Sequence, residues 1–437
     1  MGKCPDCGEW DALREHVVAH TAEDRHRPLV APTPDQPVVL PLAEVRPDAT
    51  RRHPSGLAEF DRVLGGGIVP GSAVLVGGDP GIGKSTLLLQ VGHAVASSGR
   101  KTIYVTSEES LGQVRLRAAR LGAADSPMLA AAQANLDIIT HLLQKEAPDV
   151  VIVDSIQMVY RPDMTAAPGS ATQLRDAAAR LIWLAKQMGF ALFLVGHVTK
   201  EGAIAGPRIL EHLVDCVAYF EGDRFHAHRL VRTVKNRFGS TDELGIFEMT
   251  DGGLVPVADP SRLFLQEQRT ARPGSVILAA CEGTRTLLVE VQALCAQSVF
   301  GAAKRKATGV DPGRVAMILA VLEKHAGCVL GDQDVFVNVV GGVRVNEPAA
   351  DLAIALAVYS VLTNRSLPEA TVACGELGLG AELRPVHHMR QRLAEAARVG
   401  FSRFLSPRLG RDVPPPGAKT IELSTCENLN HALRHLH

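Results

Sequence analysis

Apolar residues in the first half of the chain fall into short unbroken runs rather than alternating with polar ones. SAVLVGGDP (72–80), KTIYVTSEES (101–110), DVVIVDSIQ (149–157) and ALFLVGHVTKEG (191–202) each read as a buried strand entering a loop. KSTLLLQVGHAVASSG (84–99) reads as a helix ended by Gly99. Continuous apolar strands alternating with helices predict a mostly parallel sheet covered on both faces. DCVAYFEG, HRLVRTVKNRFG and ELGIFEMTDGGLVPV, between 215 and 257, are strand-rich. The texture changes near residue 259, where VADPSRLFLQEQRTARPG reads as a connector with a short helix. A second α/β unit follows, with TRTLLVEVQALC, GRVAMILAVLEKHAG, DVFVNVVGG, DLAIALAVYSVLTN and RLAEAARVGF as its periodic segments. Ahead of the first strand, residues 26–50 carry Pro28, Pro32, Pro34, Pro37, Pro41 and Pro47, a density that predicts an extended linker. The expected organisation is therefore a short polar segment (1–25), a linker (26–50), a nucleotide-binding core (51–258) and a second α/β domain (259–437).

Composition narrows the class. A chain of 437 residues, 46% hydrophobic and 21% charged, with a formal net charge of −1, has the make-up of a soluble multidomain protein. It has no global basic field, so contact with nucleic acid must come from local loops and patches. Only Cys4 and Cys7 form a close pair among the eight cysteines, which argues against a disulfide framework and for a reducing compartment. The Met1 end lacks a basic segment leading into an apolar core, and no apolar run approaches about 18 residues. No signal peptide, no membrane partner and a cytoplasmic location are expected.

The chemistry is concentrated in GGDPGIGKST (77–86), which places Gly78-x-x-x-x-Gly83-Lys84-Ser85 between a strand and a helix, the context a phosphate-binding loop requires. Gly78, Asp79, Pro80, Gly81, Ile82 and Gly83 are expected to curl their N–H groups toward phosphate oxygens. The helix starting near Lys84 adds its positive dipole end. Lys84 is expected on the β and γ phosphates of ATP, Ser85 on Mg²⁺, and Thr86 beside them. Asp154 closes an apolar strand where a second Mg²⁺ ligand belongs. Glu108 and Glu109 follow the second strand. Either carboxylate is placed to orient an attacking water or to cap the next helix, and spacing alone does not choose between them.

Together GGDPGIGKST, YVTSEES, VVIVDSIQ, GHVTKEGAIAGPRILEHLVD and KNRFGSTDELG resemble the RadA family, also called Sms, bacterial relatives of RecA that process recombination intermediates. The resemblance runs from Cys4 to about residue 425, and KNRFG (235–239) is its most specific motif. It implies a RecA-like ATPase core, a homo-hexameric ring moving on single-stranded and branched DNA, branch migration, and a RecA-type recombinase as partner. By the resemblance, Glu108 is the catalytic glutamate and His197 the γ-phosphate sensor. Lys235 and Arg237 are cations that reach the ATP of a neighbouring subunit. The RecA-like plan puts DNA-contacting loops within 161–175 and 199–211, making Arg175, Lys200 and Arg208 phosphate contacts. Neither loop holds an aromatic, so base stacking is expected to contribute little.

From about residue 260 the chain resembles the proteolytic domain of Lon, through VEVQALC, GGVRVNEPAADLAIALA and GELGLGAELRPVHHMRQRLAEAARVGF. The Ser of the Lon Ser–Lys dyad falls on Ala349 and the Lys on Arg390. Alanine has no nucleophile and arginine stays protonated, so no peptidase activity is expected. Lys304, Arg305 and Lys306 are a basic triplet that either guides DNA or is a solvated loop. Members of the RadA family begin with two CxxC pairs around Zn²⁺. Here only Cys4 and Cys7 are present, with His16 and His20 after them at a spacing shorter than a zinc finger's, so the Zn²⁺ motif is incomplete. The leading expectation is a DNA-dependent ATPase of recombinational repair. A Lon-like protease and a non-motor ATP-dependent ring scaffold are the alternatives.

Overall fold

The computed structural model describes residue 41 and residues 52–197, 208–221, 228–241, 243–265, 271–298, 303–408 and 421–437. The described residues from 52 onward belong to one unit. Cys4, Cys7, His16, His20, most of the Pro-rich linker and Lys200 lie outside the described residues.

The first sheet has nine strands: β1 (Ala73–Gly77), β2 (Thr102–Thr106), β3 (Leu129–Ala132), β4 (Val150–Asp154), β5 (Ala191–Val195), β6 (Cys216–Glu221), β7 (His228–Asn236), β8 (Leu244–Thr250) and β9 (Gly253–Pro256). Their order is β3-β2-β4-β5-β1-β6-β7-β8-β9. The strands from β3 to β6 in this order are parallel and β6 to β9 antiparallel. Residues of β1, β2 and β5 are all buried, which is why their sequences are continuously apolar. Successive side chains still alternate between faces. Val74, Val76, Tyr104, Ile152 and Phe193 pack with Leu87, Leu88 and Val91 of the helix Lys84–Ser97. Their neighbours Leu75, Val105, Val151 and Leu192 pack with the helices Leu136–Glu146 and Ala171–Met188 on the other side. The result is the mostly parallel layer, covered on both faces, expected from the sequence.

The second sheet comprises β10 (Ser275–Glu282), β11 (Arg285–Gln297), β12 (Arg305–Thr308), β13 (Gln333–Val339), β14 (Thr371–Ala373), β17 (Arg403–Pro407) and β18 (Glu422–Cys426). Its order is β12-β13-β11-β10-β14-β17-β18, and a hairpin, β15 (Glu376–Leu377) and β16 (Leu383–Arg384), stands apart. The helix Ala350–Thr363 is apolar nearly all round and almost wholly buried, at the centre of this core. Leu230, Leu244 and Ile246, from β7 and β8, belong to the same apolar cluster as β10 and β11. Polar ties reinforce that joint: Arg285 Nη1 to Glu59 Oε2 at 2.7 Å, the Thr284 N–H to Glu243 Oε1 at 3.0 Å, and Arg232 of β7 to Glu282 of β10.

One buried charge was not foreseen. Arg392 is 1% exposed and donates from Nη2 to Glu347 Oε2 at 2.5 Å and from Nη1 to Glu347 Oε1 at 2.9 Å. It also donates to the backbone oxygens of Ala279 and, at 2.9 Å, His387. Removing Arg392 deletes a wholly buried side chain, leaves the Ala279 and His387 carbonyls without their donor, and strips the Glu347 carboxylate, 22% exposed, of its two charged hydrogen bonds. Arg392→Ala is therefore expected to lower unfolding free energy by about 3–5 kcal/mol. Urea midpoints check this, and a loss below about 1 kcal/mol contradicts the pair's structural role.

Candidate nucleotide and DNA site

The loop 78–83 leaves the C-terminal end of β1 and enters the helix Lys84–Ser97. Its N-cap, Gly83, has φ +122°, and a Cβ there would sit 2.8 Å from Met249 Cε. No side chain caps this helix and no acidic residue occupies its first turn. Its leading N–H groups and dipole therefore face the loop, an arrangement that accepts anionic oxygens. Lys84 is 3% exposed, and its ammonium donates to the carbonyl oxygens of Gly78 (2.8 Å) and Asp79 (2.9 Å), across the inside of the loop. Ser85 and Thr86 follow in the first helical turn, half-buried.

Three carboxylates approach from β2 and β4, and the geometry separates them. Ser155 Oγ donates to Glu108 Oε1, and His197 Nε2 at the end of β5 lies 3.8 Å from the same oxygen. Glu109 turns away, bound by Arg117 of the next helix, and its N–H donates to Thr106 Oγ1 at 3.0 Å. Tyr104, which the sequence reading did not single out, donates its hydroxyl to Asp154 Oδ2. Burial, then the Asp154 charge, push the Tyr104 phenol well above its ordinary value, so it stays protonated and remains a donor. Burial, then the Lys84 charge, lower the His197 imidazole, and Glu108 and Asp154 only partly oppose this. His197 is thus neutral near pH 7. The ends of β2 and β4 are locked by Ser107, whose Oγ donates to the Ser155 carbonyl at 2.7 Å and accepts the Ser155 N–H at 3.1 Å.

Lys235 and Arg237 are not brought to this cluster. Arg237 Nη1 donates to Asp215 Oδ1 at 3.1 Å, and Asp215 Oδ2 accepts the Ala73 N–H at 3.1 Å, at the opposite end of β1 from the loop. With five residues in β1 and about 3.3 Å per step, the two ends lie roughly 13 Å apart. Lys235 Nζ donates to the Glu211 carbonyl at 2.7 Å, just ahead of β6. Burial, then the Arg237 charge, lower its ammonium from the ordinary lysine value. KNRFG is seated by a close backbone crossing, since a Cβ on Gly239 would lie 2.8 Å from Gly65 Cα. Asp215 also takes Lys186 Nζ at 3.4 Å, making it an anchor that the sequence reading missed.

The DNA candidates are dispersed. Arg175 is exposed on the helix Ala171–Met188. The stretch before it is better tied than its Gly- and Ala-rich composition suggests, because buried Gln173 bonds the Arg161 N–H (2.9 Å) and the carbonyls of Arg161 (3.0 Å) and Ala166 (2.9 Å). Arg208 begins a short helix, Arg208–Glu211. Lys304, Arg305 and Lys306 are exposed, and two of them start the edge strand β12 rather than a loop. Ala349 is 1% exposed at the N-cap of Ala350–Thr363, and Arg390 is on the exposed side of Met389–Val399. Position 349, where the resemblance to Lon put the nucleophile, carries no hydroxyl.

Comparison with known proteins places these features in context. Residues 41–203 match a family described as AAA domain, and residues 299–409 one described as subunit ChlI of Mg-chelatase. The chain is 47% identical over 428 residues to DNA repair protein RadA of Listeria monocytogenes, covering 96% of this chain and 93% of that protein. It is 45% identical over 436 residues to DNA repair protein RadA of Bacillus subtilis, covering 99% and 94%. A KaiC-like protein from Pyrococcus horikoshii is similar in structure over 48% of this chain and 99% of that one, with a TM-score of 0.40 and 21% identity. Among the described residues no helix is long and apolar enough to cross a membrane.

Proposed function

The chain belongs to the RadA family of DNA repair proteins, and we propose that it is a DNA-dependent ATPase that works as a homo-hexameric ring on single-stranded and branched DNA. In this reading residues 51–258 hydrolyse ATP, and residues 259–437 are a Lon-like domain that has lost its dyad and serves as a ring scaffold. The loop 78–83 and Lys84 hold the phosphates. Glu108 orients and deprotonates the attacking water, with Ser155 and neutral His197 positioning its carboxylate. The uncapped helix, the Ser85 hydroxyl in its first turn and the Asp154 carboxylate at the end of β4 suit Mg²⁺–ATP; Mg²⁺ would be held by Ser85 and Asp154, the latter oriented by Tyr104, and would neutralise phosphate charge.

The observation that carries the ring is the placement of Arg237 beside Asp215, a strand's length from the phosphate loop of its own subunit. A cation so placed serves ATP chemistry only at a subunit boundary, where the base of one sheet meets the loop of the next. Branch migration of a synthetic three-strand junction tests the motor: ATP should extend the migrated product and a non-hydrolysable analogue should not. Equal migration with the analogue would favour a ring that only scaffolds.

The two acidic neighbours give a further check. Glu108→Gln should lower phosphate release by about 10²-fold, within the usual effect of losing a general base. Glu109→Gln should stay within a few-fold, because it loses only a partly exposed pair with Arg117. Equal losses in both variants would contradict the assignment.

A further inference from the structure

The last element of the chain carries a cluster that neither the nucleotide site nor the DNA surfaces use. Cys426 ends β18 and is fully buried. Two residues on, Asn428 caps the helix Leu429–Leu433 by accepting the His431 N–H at 2.9 Å. His431 and His435 stand one turn apart on the same side, with ring centroids 6.1 Å apart and planes at 26°. One ligand atom from each of Cys426, His431 and His435 lies within 4.8 Å of the other two.

We propose that Cys426, His431 and His435 form a binding site for one divalent transition-metal ion, with Zn²⁺ as the natural occupant. One thiolate and two imidazoles are the donors that borderline-soft ions prefer over Mg²⁺ or Ca²⁺. Tetrahedral Zn²⁺, with Zn–S near 2.3 Å and Zn–N near 2.0–2.1 Å, needs donors separated by roughly 3.3–3.7 Å. Side-chain rotation closes that gap, since His431 is exposed and His435 half-buried while the Cys426 backbone is fixed in the sheet. Burial pushes the Cys426 thiol up to about 11, so binding exchanges its proton for the metal. Burial, followed by the His431 and His437 charges, lowers His435, leaving a neutral ring as donor. The fourth position is left to water. The ion would tie β18, the outermost strand of its sheet, to a helix whose Leu429, Ala432 and Leu433 are anchored in the core.

The test uses the full chain carrying Cys4→Ser and Cys7→Ser, which removes the other thiol pair considered for zinc. After chelation, Co²⁺ is titrated in. The expected result is one equivalent bound, with tetrahedral d–d bands and a thiolate-to-cobalt charge-transfer band, displaced by Zn²⁺. Cys426→Ser should abolish the charge-transfer band. His431→Ala, on the exposed side, should weaken Co²⁺ binding at least about tenfold with ATP turnover unchanged. If Cys426→Ser does not fold, His431→Ala decides alone. An octahedral spectrum without charge transfer, or tight binding unchanged in His431→Ala, overturns the proposal.

Discussion

Lys84→Ala should remove ATP turnover, with phosphate release falling at least about 10³-fold. The amine lies on the inside of the loop, held by the carbonyls of Gly78 and Asp79, where phosphate oxygens would sit against the uncapped helix. Losing one such preorganised donor typically costs about 10²–10³-fold, and this one also contributes to nucleotide binding. Because Lys84 is 3% exposed, alanine also deletes buried methylenes, so a far-UV CD melt must accompany the assay. A folded variant that retained near-normal turnover would mean the loop is not the hydrolytic site.

Arg237→Ala should lower turnover by about 10³-fold or more, in the range of a missing arginine finger, while single-stranded DNA binding stays intact. Lys235→Ala should act in the same direction. Folding should survive, since the Arg237 side chain is 56% exposed and Asp215 keeps Lys186 and the Ala73 N–H. The decisive form is a mixing experiment. Lys84→Ala subunits keep the finger and Arg237→Ala subunits keep the loop, so mixed rings contain some intact boundaries and should regain part of the activity. Full turnover in Arg237→Ala alone, or no recovery on mixing folded variants, would refute the shared site.

Much of the candidate site is legible in the sequence, for reasons that differ by residue. The loop 78–86 was legible because strand, glycine spacing and helix are all local. Asp154 was legible because a carboxylate ending the run VVIV is an abrupt break in polarity. Spacing leaves the choice between Glu108 and Glu109 open and only the family resemblance favours Glu108, because the two are separated by Arg117 and Ser155, which close from different elements. Tyr104 was hidden for the same reason: a tyrosine in a buried strand reads as core, and its partner Asp154 is 50 residues away. β3, whose sequence LAAA is largely exposed at the sheet edge, gave no periodic signal. Arg392 illustrates the limit in the second domain. RQR in a helix shows two equivalent cations, and only the packing sends one to solvent and the other to Glu347.

The most direct test of the whole account is ATP hydrolysis by the purified chain with and without single-stranded DNA, at one fixed salt concentration, since phosphate contacts make DNA binding strongly salt-dependent. Strong stimulation by DNA is the predicted result, because in the proposed ring the loop at 78–83, the finger in trans and the bound DNA act as one machine. A basal rate that DNA leaves unchanged, in a preparation shown to bind the same DNA, would contradict it and leave an ATP-dependent scaffold in its place.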